Sequence, residues 1–177
     1  MSEGATLLTY EGIAPAIDPS AFIAPGARVI GDVRIGAGSS LWYNVVVRGD
    51  VNQVRIGART NIQDGSVVHV STRTHPTVIG DDVLIGHLAM IHGCTLHDRA
   101  FVGLGSIVMD GCVIESDGML AAGAMLTAGK RIASGQLWGG RPAKFMRDLT
   151  PEEIARNRAG AASYVETAAA HRKAIDG

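Results

Sequence analysis

Several common routes to stability and binding are closed to this chain of 177 residues. Two cysteines, Cys94 and Cys112, are too few for a disulfide framework and are expected to stay reduced. The formal net charge is −1, which leaves no basic surface of the kind that holds nucleic acid, and basic and aromatic residues do not interleave. Aromatic residues make up only 5% of the chain, yet 46% of it is hydrophobic, which suits one densely filled interior. No apolar run reaches the length of a membrane span. Met1-Ser2-Glu3 lacks the basic flank and sustained apolar stretch of a secretory signal. A single soluble domain, with a cytoplasmic location, is the expectation.

What is present is a period. Aliphatic residues recur every six positions at Ile23, Val29, Ile35, Leu41 and Val47, and the count resumes at Ile56, Ile62 and Val68 after three extra residues. Five more extra residues precede Ile79, Ile85 and Ile91; the count then slips by one to Leu96 and runs through Val102, Val108, Ile114, Leu120, Leu126, Ile132 and Trp138. All nineteen positions are apolar, and the residue four later is usually small or β-branched. An α-helix, with its period of 3.6, does not produce this, nor does simple two-residue alternation. A β-sandwich would not keep so strict a period. Three short strands per coil, one hexad each, stack into a prism with an apolar interior. The 23 glycines supply corners that need positive φ or close backbone approach.

The period gives geometry to three histidines. Counting three faces from Ile23, the second face starts at Val29, Val47, Val68, Ile91, Val108 and Leu126. The next residue along is Arg48, His69 and His92 on three consecutive coils. Stacked strands lie about 4.8 Å apart, so His69 and His92 are predicted neighbours despite their separation in sequence. His87 follows Ile85 on the first face, with Asp64 its equivalent one coil below. It points away from the pair in its own prism and completes their coordination only if another prism packs alongside, most simply in a C3 homotrimer. The expectation is a zinc site using His69 and His92 of one subunit and His87 of its neighbour.

These residues and their flanks resemble the γ-class carbonic anhydrases over almost the whole chain. The matching stretches are R-G-D at 48–50, N-I-Q-D at 61–64, V-V-H at 67–69, I-G-H-L-A-M-I-H-G-C at 85–94 and G-G-R-P-A-K at 139–144. The resemblance implies an all-β, left-handed parallel β-helix of hexapeptide repeats with a C-terminal α-helix, in a homotrimer. The left hand comes from the resemblance alone, since ordinary crossovers are right-handed. It also implies that Gln63 hydrogen-bonds the metal-bound water or hydroxide, with Asn61 and Asp64 in the same pocket. Arg48 and Asp50 match a pair joining adjacent subunits beside the metal, and Tyr164 matches a tyrosine brought from the C-terminal helix.

Three neutral imidazoles around Zn²⁺ leave a fourth position for water. The ion lowers that water's pKa to about 7, so that hydroxide can attack carbon dioxide to give bicarbonate. Such a site also accepts Co²⁺ or Fe²⁺. One departure stands out: no glutamate occurs between Glu11 and Glu115, so the acidic loop that relays protons in the family is missing. The insert Ser71–Thr77 carries His75, a residue type able to exchange protons near neutral pH. Two other readings stay open: an acyl-CoA thioesterase or acyltransferase on the same prism, and a metal-binding scaffold without turnover. Taken one by one, the site residues have plainer roles as solvated, corner or packing groups.

Residues 1–20 show no hexad signal and read as an irregular lead-in capping the first coil, 21–144 as the β-helix and 148–175 as the terminal helix. Thr150-Pro151-Glu152-Glu153 has the form of a helix start, with Thr as N-cap, Pro at the first helical position and Glu three after the cap. His97 and His171 fall outside the pattern and read as surface residues.

Overall fold

The computed structural model describes residues 4–177, so residues 1–3 of the expected lead-in lie outside the described residues. The hexads form a left-handed parallel β-helix of about seven coils, followed by one α-helix, α1, at Pro151–Asp176. Consecutive coils pair in parallel and in register. On the first face Ile23, Leu41, Ile62, Ile85 and Val102 stack in turn. Val29, Val47, Val68, Ile91 and Val108 stack on the second. Ile35, Ile56, Ile79, Leu96 and Ile114 stack on the third. Eighteen of the nineteen repeat positions are at most 4% exposed; only Trp138, in the last coil, is less covered.

The corners repeat as strictly as the faces. The third residue after most hexad starts has positive φ: Gly38, Asn44, Arg59, Gly65, Asp82, Leu88, Arg99 and Gly105 among them. Glycine enters this region freely, whereas a branched leucine does so at a cost, which makes Leu88 (φ 57) the odd member. Where the corner residue facing inward is polar, its hydroxyl donates to a carbonyl in the next coil. Ser39 bonds Gly57, Thr60 bonds Gly80, Ser66 bonds Gly86 and Ser106 bonds Ala121, at 2.7–3.1 Å. Buried hydroxyls thus add to the ladder instead of being stranded.

The two inserts leave the stack intact. The strands Arg28–Ile35 and Val46–Ile56 run through a corner without a break, and the three residues after Asp50 are absorbed as a register shift between Gly31 and Val33. The second insert folds out as a small hairpin, Ser71 bridging His75.

The lead-in is more regular than its sequence suggests. Thr6–Leu8 pairs in parallel with Arg28–Ile30, and Ala16–Ile17 with Arg34–Ile35. Ile17 lies six residues before Ile23 and stacks on Ile35, so the repeat begins one hexad earlier than expected. These strands cover what would otherwise be an open edge.

Helix α1 starts with the expected capping box, Glu153 N–H to Thr150 Oγ1 at 3.2 Å and Thr150 N–H to Glu153 Oε2 at 2.9 Å. It lies across the first face. Ala161 and Ala168 allow close approach, and Tyr164 meets Trp42 edge to face at 5.4 Å. His171 is not the surface residue expected: its Nδ1 is 2.9 Å from the Tyr43 hydroxyl and its ring stands on Trp42. Arg172 donates to the carbonyls of Ser20 and Ala21. Much of the small aromatic complement is therefore spent docking one helix.

Two predictions follow from the packing and the cap. Leu96→Ala should destabilise the fold by about 2–5 kcal/mol in chemical denaturation, because the ladders to Ile79 below and Ile114 above prevent collapse around the void; a loss well under 1 kcal/mol would contradict a rigid stack. Hydrogen bonds from Arg147 and the Thr150 backbone pull the Glu153 pKa from 4.5 down to about 2. A depressed carboxyl stabilises the fold fully above pH 4.5 and loses that contribution as the pH falls towards 2. The melting-temperature gap between wild type and Glu153→Gln should accordingly narrow over that interval; a gap constant with pH would rule out the charged form as its source.

Candidate metal centre

The second face holds one half of the centre. Strand alternation turns Val68 and Ile91 into the core and the next residues outward, and the ladder pairs His69 with His92 directly. Their rings are 5.1 Å apart, with Nδ1 of His69 3.1 Å from Nε2 of His92. Each imidazole is held from behind by a carboxylate. Asp50 Oδ1 lies 3.0 Å from His69 Nε2, and Asp110 Oδ1 lies 2.6 Å from His92 Nδ1. Arg48 donates to the second oxygen of Asp50, and Ser71 Oγ donates to the second oxygen of Asp110 at 2.5 Å.

Both carboxyls are held below the usual carboxylate range. For Asp50, burial pushes upward, but hydrogen bonds from His69 and Arg48 outweigh it. For Asp110, burial is again opposed, here by Ser71 and His92. Two ionised carboxylates on the outer nitrogens place the imidazole N–H groups there. The facing nitrogens then both present lone pairs across 3.1 Å, an arrangement that calls for a cation or a proton between them. Two nitrogens sharing a tetrahedral zinc at 2.0–2.1 Å stand about 3.3 Å apart. The donor set and its outer carboxylates fit the ion, since metal-binding histidines characteristically donate their other N–H to such groups.

The inserts supply the supports. Thr77 Oγ1 donates to the His69 carbonyl at 2.5 Å and accepts from Gly93 N–H, tying the two histidine strands together. Asn52 Nδ2 donates to the Ser71 carbonyl, so the first insert braces the second. His75 lies beside Asp110, with Nδ1 3.9 Å from Oδ2, while His92 holds the other oxygen.

The first face holds the other half. His87 is exposed, with Nδ1 2.8 Å from Asp64 Oδ2, the carboxylate one coil below. Gln63 is buried and its Nε2 donates to Asn61 Oδ1 at 3.1 Å. Tyr164 comes close enough that burial and the Asp64 charge raise its pKa, keeping the phenol protonated. The structure thus brings His69, His92, Arg48 and Asp50 into one group, and His87, Asn61, Gln63, Asp64 and Tyr164 into another. It does not bring the groups together within one chain. Among the described residues no three His, Cys, Asp or Glu side chains of a single chain are set to hold a metal ion.

Asp110, Ser71 and Thr77 are additions to the residues expected. Asp110 stands two residues after Val108, one coil above Gly93 and one place past the register of His92, so the count put it near the pair without marking it. Ser71 and Thr77 carried no signal, because a hairpin outside the repeat has no register to count.

Known proteins place this architecture. No family model matches the chain. Gamma carbonic anhydrase 1, mitochondrial, of Arabidopsis thaliana is 52% identical over 97% of the chain, which spans 64% of that protein's length. Gamma carbonic anhydrase 3, mitochondrial, of the same plant is 46% identical over 97% of the chain and 68% of its own length. The crystal structure of a hexapeptide transferase family protein from Anaplasma phagocytophilum is 51% identical, with TM-score 0.90, covering 93% of this chain and 97% of that one. Fold and repeat define a hexapeptide-repeat protein. Within that class, the chain belongs to the γ carbonic anhydrase family.

Asp110→Asn should lower zinc affinity by roughly 10–100-fold in chelator competition with an unchanged circular dichroism spectrum. Unaltered affinity would show that Asp110 braces the hairpin and not the imidazole.

Proposed function

We propose that the chain forms a homotrimer that binds Zn²⁺, or Co²⁺ or Fe²⁺ in its place, between His69 and His92 of one subunit and His87 of the next, and that this centre interconverts carbon dioxide and bicarbonate. One observation carries the reading: all three histidines have a carboxylate on one ring nitrogen at 2.6–3.0 Å, yet one of them stands on a different face. Neutral imidazoles oriented by carboxylates are metal ligands in waiting. His87 gains its partners only from a neighbouring copy, which in a closed ring generates three equivalent sites.

When bound, the ion acts as a Lewis acid and brings the pKa of water from 15.7 to about 7. The chain's own residues do the rest. Asp50, Asp110 and Asp64 fix the ring orientations and hold the protons on the outer nitrogens. The Gln63 amide, aimed by Asn61, is placed to orient the attacking water beside His87. Tyr164, with its phenol proton retained, supplies a donor at the edge of the same pocket. Arg48 extends from Asp50 towards the neighbouring subunit, and breaking that pair from one side would strand a carboxylate beside His69. Hydration releases a proton, and with no glutamate between Glu11 and Glu115 its acceptor is external buffer.

The purified trimer should therefore contain about one metal per chain and hydrate carbon dioxide in stopped flow at a rate that rises with buffer concentration. His92→Ala and His87→Ala should each lose both metal and rate. A metallated trimer with no hydration would sink this reading and turn attention to acyl-CoA substrates, as the transferase name of one relative suggests, or to a scaffold role.

A further inference from the structure

Directly above His87 stands an exposed leucine. Ile85 pairs with Val102, so Leu104 occupies the place of His87 one coil on, and the Gly105 N–H bonds the His87 carbonyl at 2.7 Å. Leu104 is 59% exposed and Leu88, beside His87, is 73% exposed. Large aliphatic side chains thus project into solvent from the corner that carries a proposed ligand.

The second face offers a matching recess. A cavity of about 370 Å³ opens beside His92, lined by Met90, Ile107, Met109, Asp110 and Ala128. Its walls are mostly apolar, and it centres on the coil of Val108, one coil above the imidazole pair.

Height decides the occupant. A closed ring permits no translation along its axis, so copies arranged around an axis parallel to the prisms meet coil for coil. His87 and His92 belong to one coil; Leu104, Ile107 and Met109 belong to the next. Whatever docking brings His87 to the histidine pair brings Leu104 level with the cavity. Charge agrees below: the corner bearing His87 carries a half-exposed Asp64, and the receiving face carries a half-exposed Arg48 one coil lower, within the reach of a long side chain.

We propose that Leu104 of one copy seats in the Met90–Met109 cavity of a second copy and seals the metal centre from above. The inference rests on the shared-metal reading and adds the contact that excludes water from Asp110 and His92. A carboxylate–imidazole pair covered by an apolar plug holds its geometry more tightly than one open to solvent.

The test is cross-linking in the full chain with zinc present. With Cys94 and Cys112 buried, Leu104→Cys combined with Met109→Cys should yield a covalent trimer on non-reducing gels after treatment with oxidised glutathione. Either single variant can reach no more than a dimer. A zinc-loaded wild-type trimer whose double variant stays uncrosslinked would overturn the Leu104 contact and leave the metal reading standing. A wild-type chain that is monomeric and metal-free would overturn both. Leu104→Asp should raise the concentration at which the trimer dissociates at least tenfold in light scattering, whereas Phe145→Asp, at a half-exposed position beside Trp138 of the last coil, should not.

Discussion

The backbone ladder between consecutive coils is the constraint from which the rest of the molecule follows. Each coil can pair with the next only in register, because a slip by one residue would turn its aliphatic row outward. That requirement sets the corners, where one residue in each must take a left-handed backbone, and it sets the stack of hydroxyls that bond from coil to coil. It also places residues far apart in sequence directly over one another. His69 and His92 meet for the same reason that Val68 and Ile91 do. The candidate centre required no loop to be aimed; it required polar residues at positions the ladder had already aligned.

Alignment alone would bring together imidazoles of undefined tautomer. The carboxylates resolve this, and they come from three sources: Asp50 from a strand that bulges, Asp110 from the next coil, Asp64 from the coil below His87. The inserts interrupt the sequence repeat without interrupting the stack, and they are spent as braces, with Thr77 and Ser71 holding the strand and the carboxylate respectively. Like the histidines, these supports lie on rigid elements or are tied to them, which suits a site whose third ligand must arrive from outside.

The repeat made the interior, the three faces and the histidine pairing legible from sequence, because a period of six converts directly into position. Reading failed where the period was faint or absent. Ile17 was in step, but the place six residues before it is Glu11, so no run of apolar hexads marked the lead-in. His171 seemed a surface group since a helix of alanines and charges gives no sign that one imidazole will cross to Tyr43 and Trp42. Ser71 and Thr77 sit in an excursion whose fold depends on the wall beside it. Asp110 falls one place out of register with His92 because of the slip before Leu96, so the count passed it by.

A stack of coils also loosens in a particular order. Each coil touches only the ones next to it, so opening proceeds from the ends and costs least there. The histidines and their carboxylates occupy the middle coils, those of Val47 through Val108, with paired strands on either side. The terminal coils can breathe or fray without disturbing them. The machinery sits where a linear assembly is quietest, and sequence drift at either end of the prism is insulated from its chemistry.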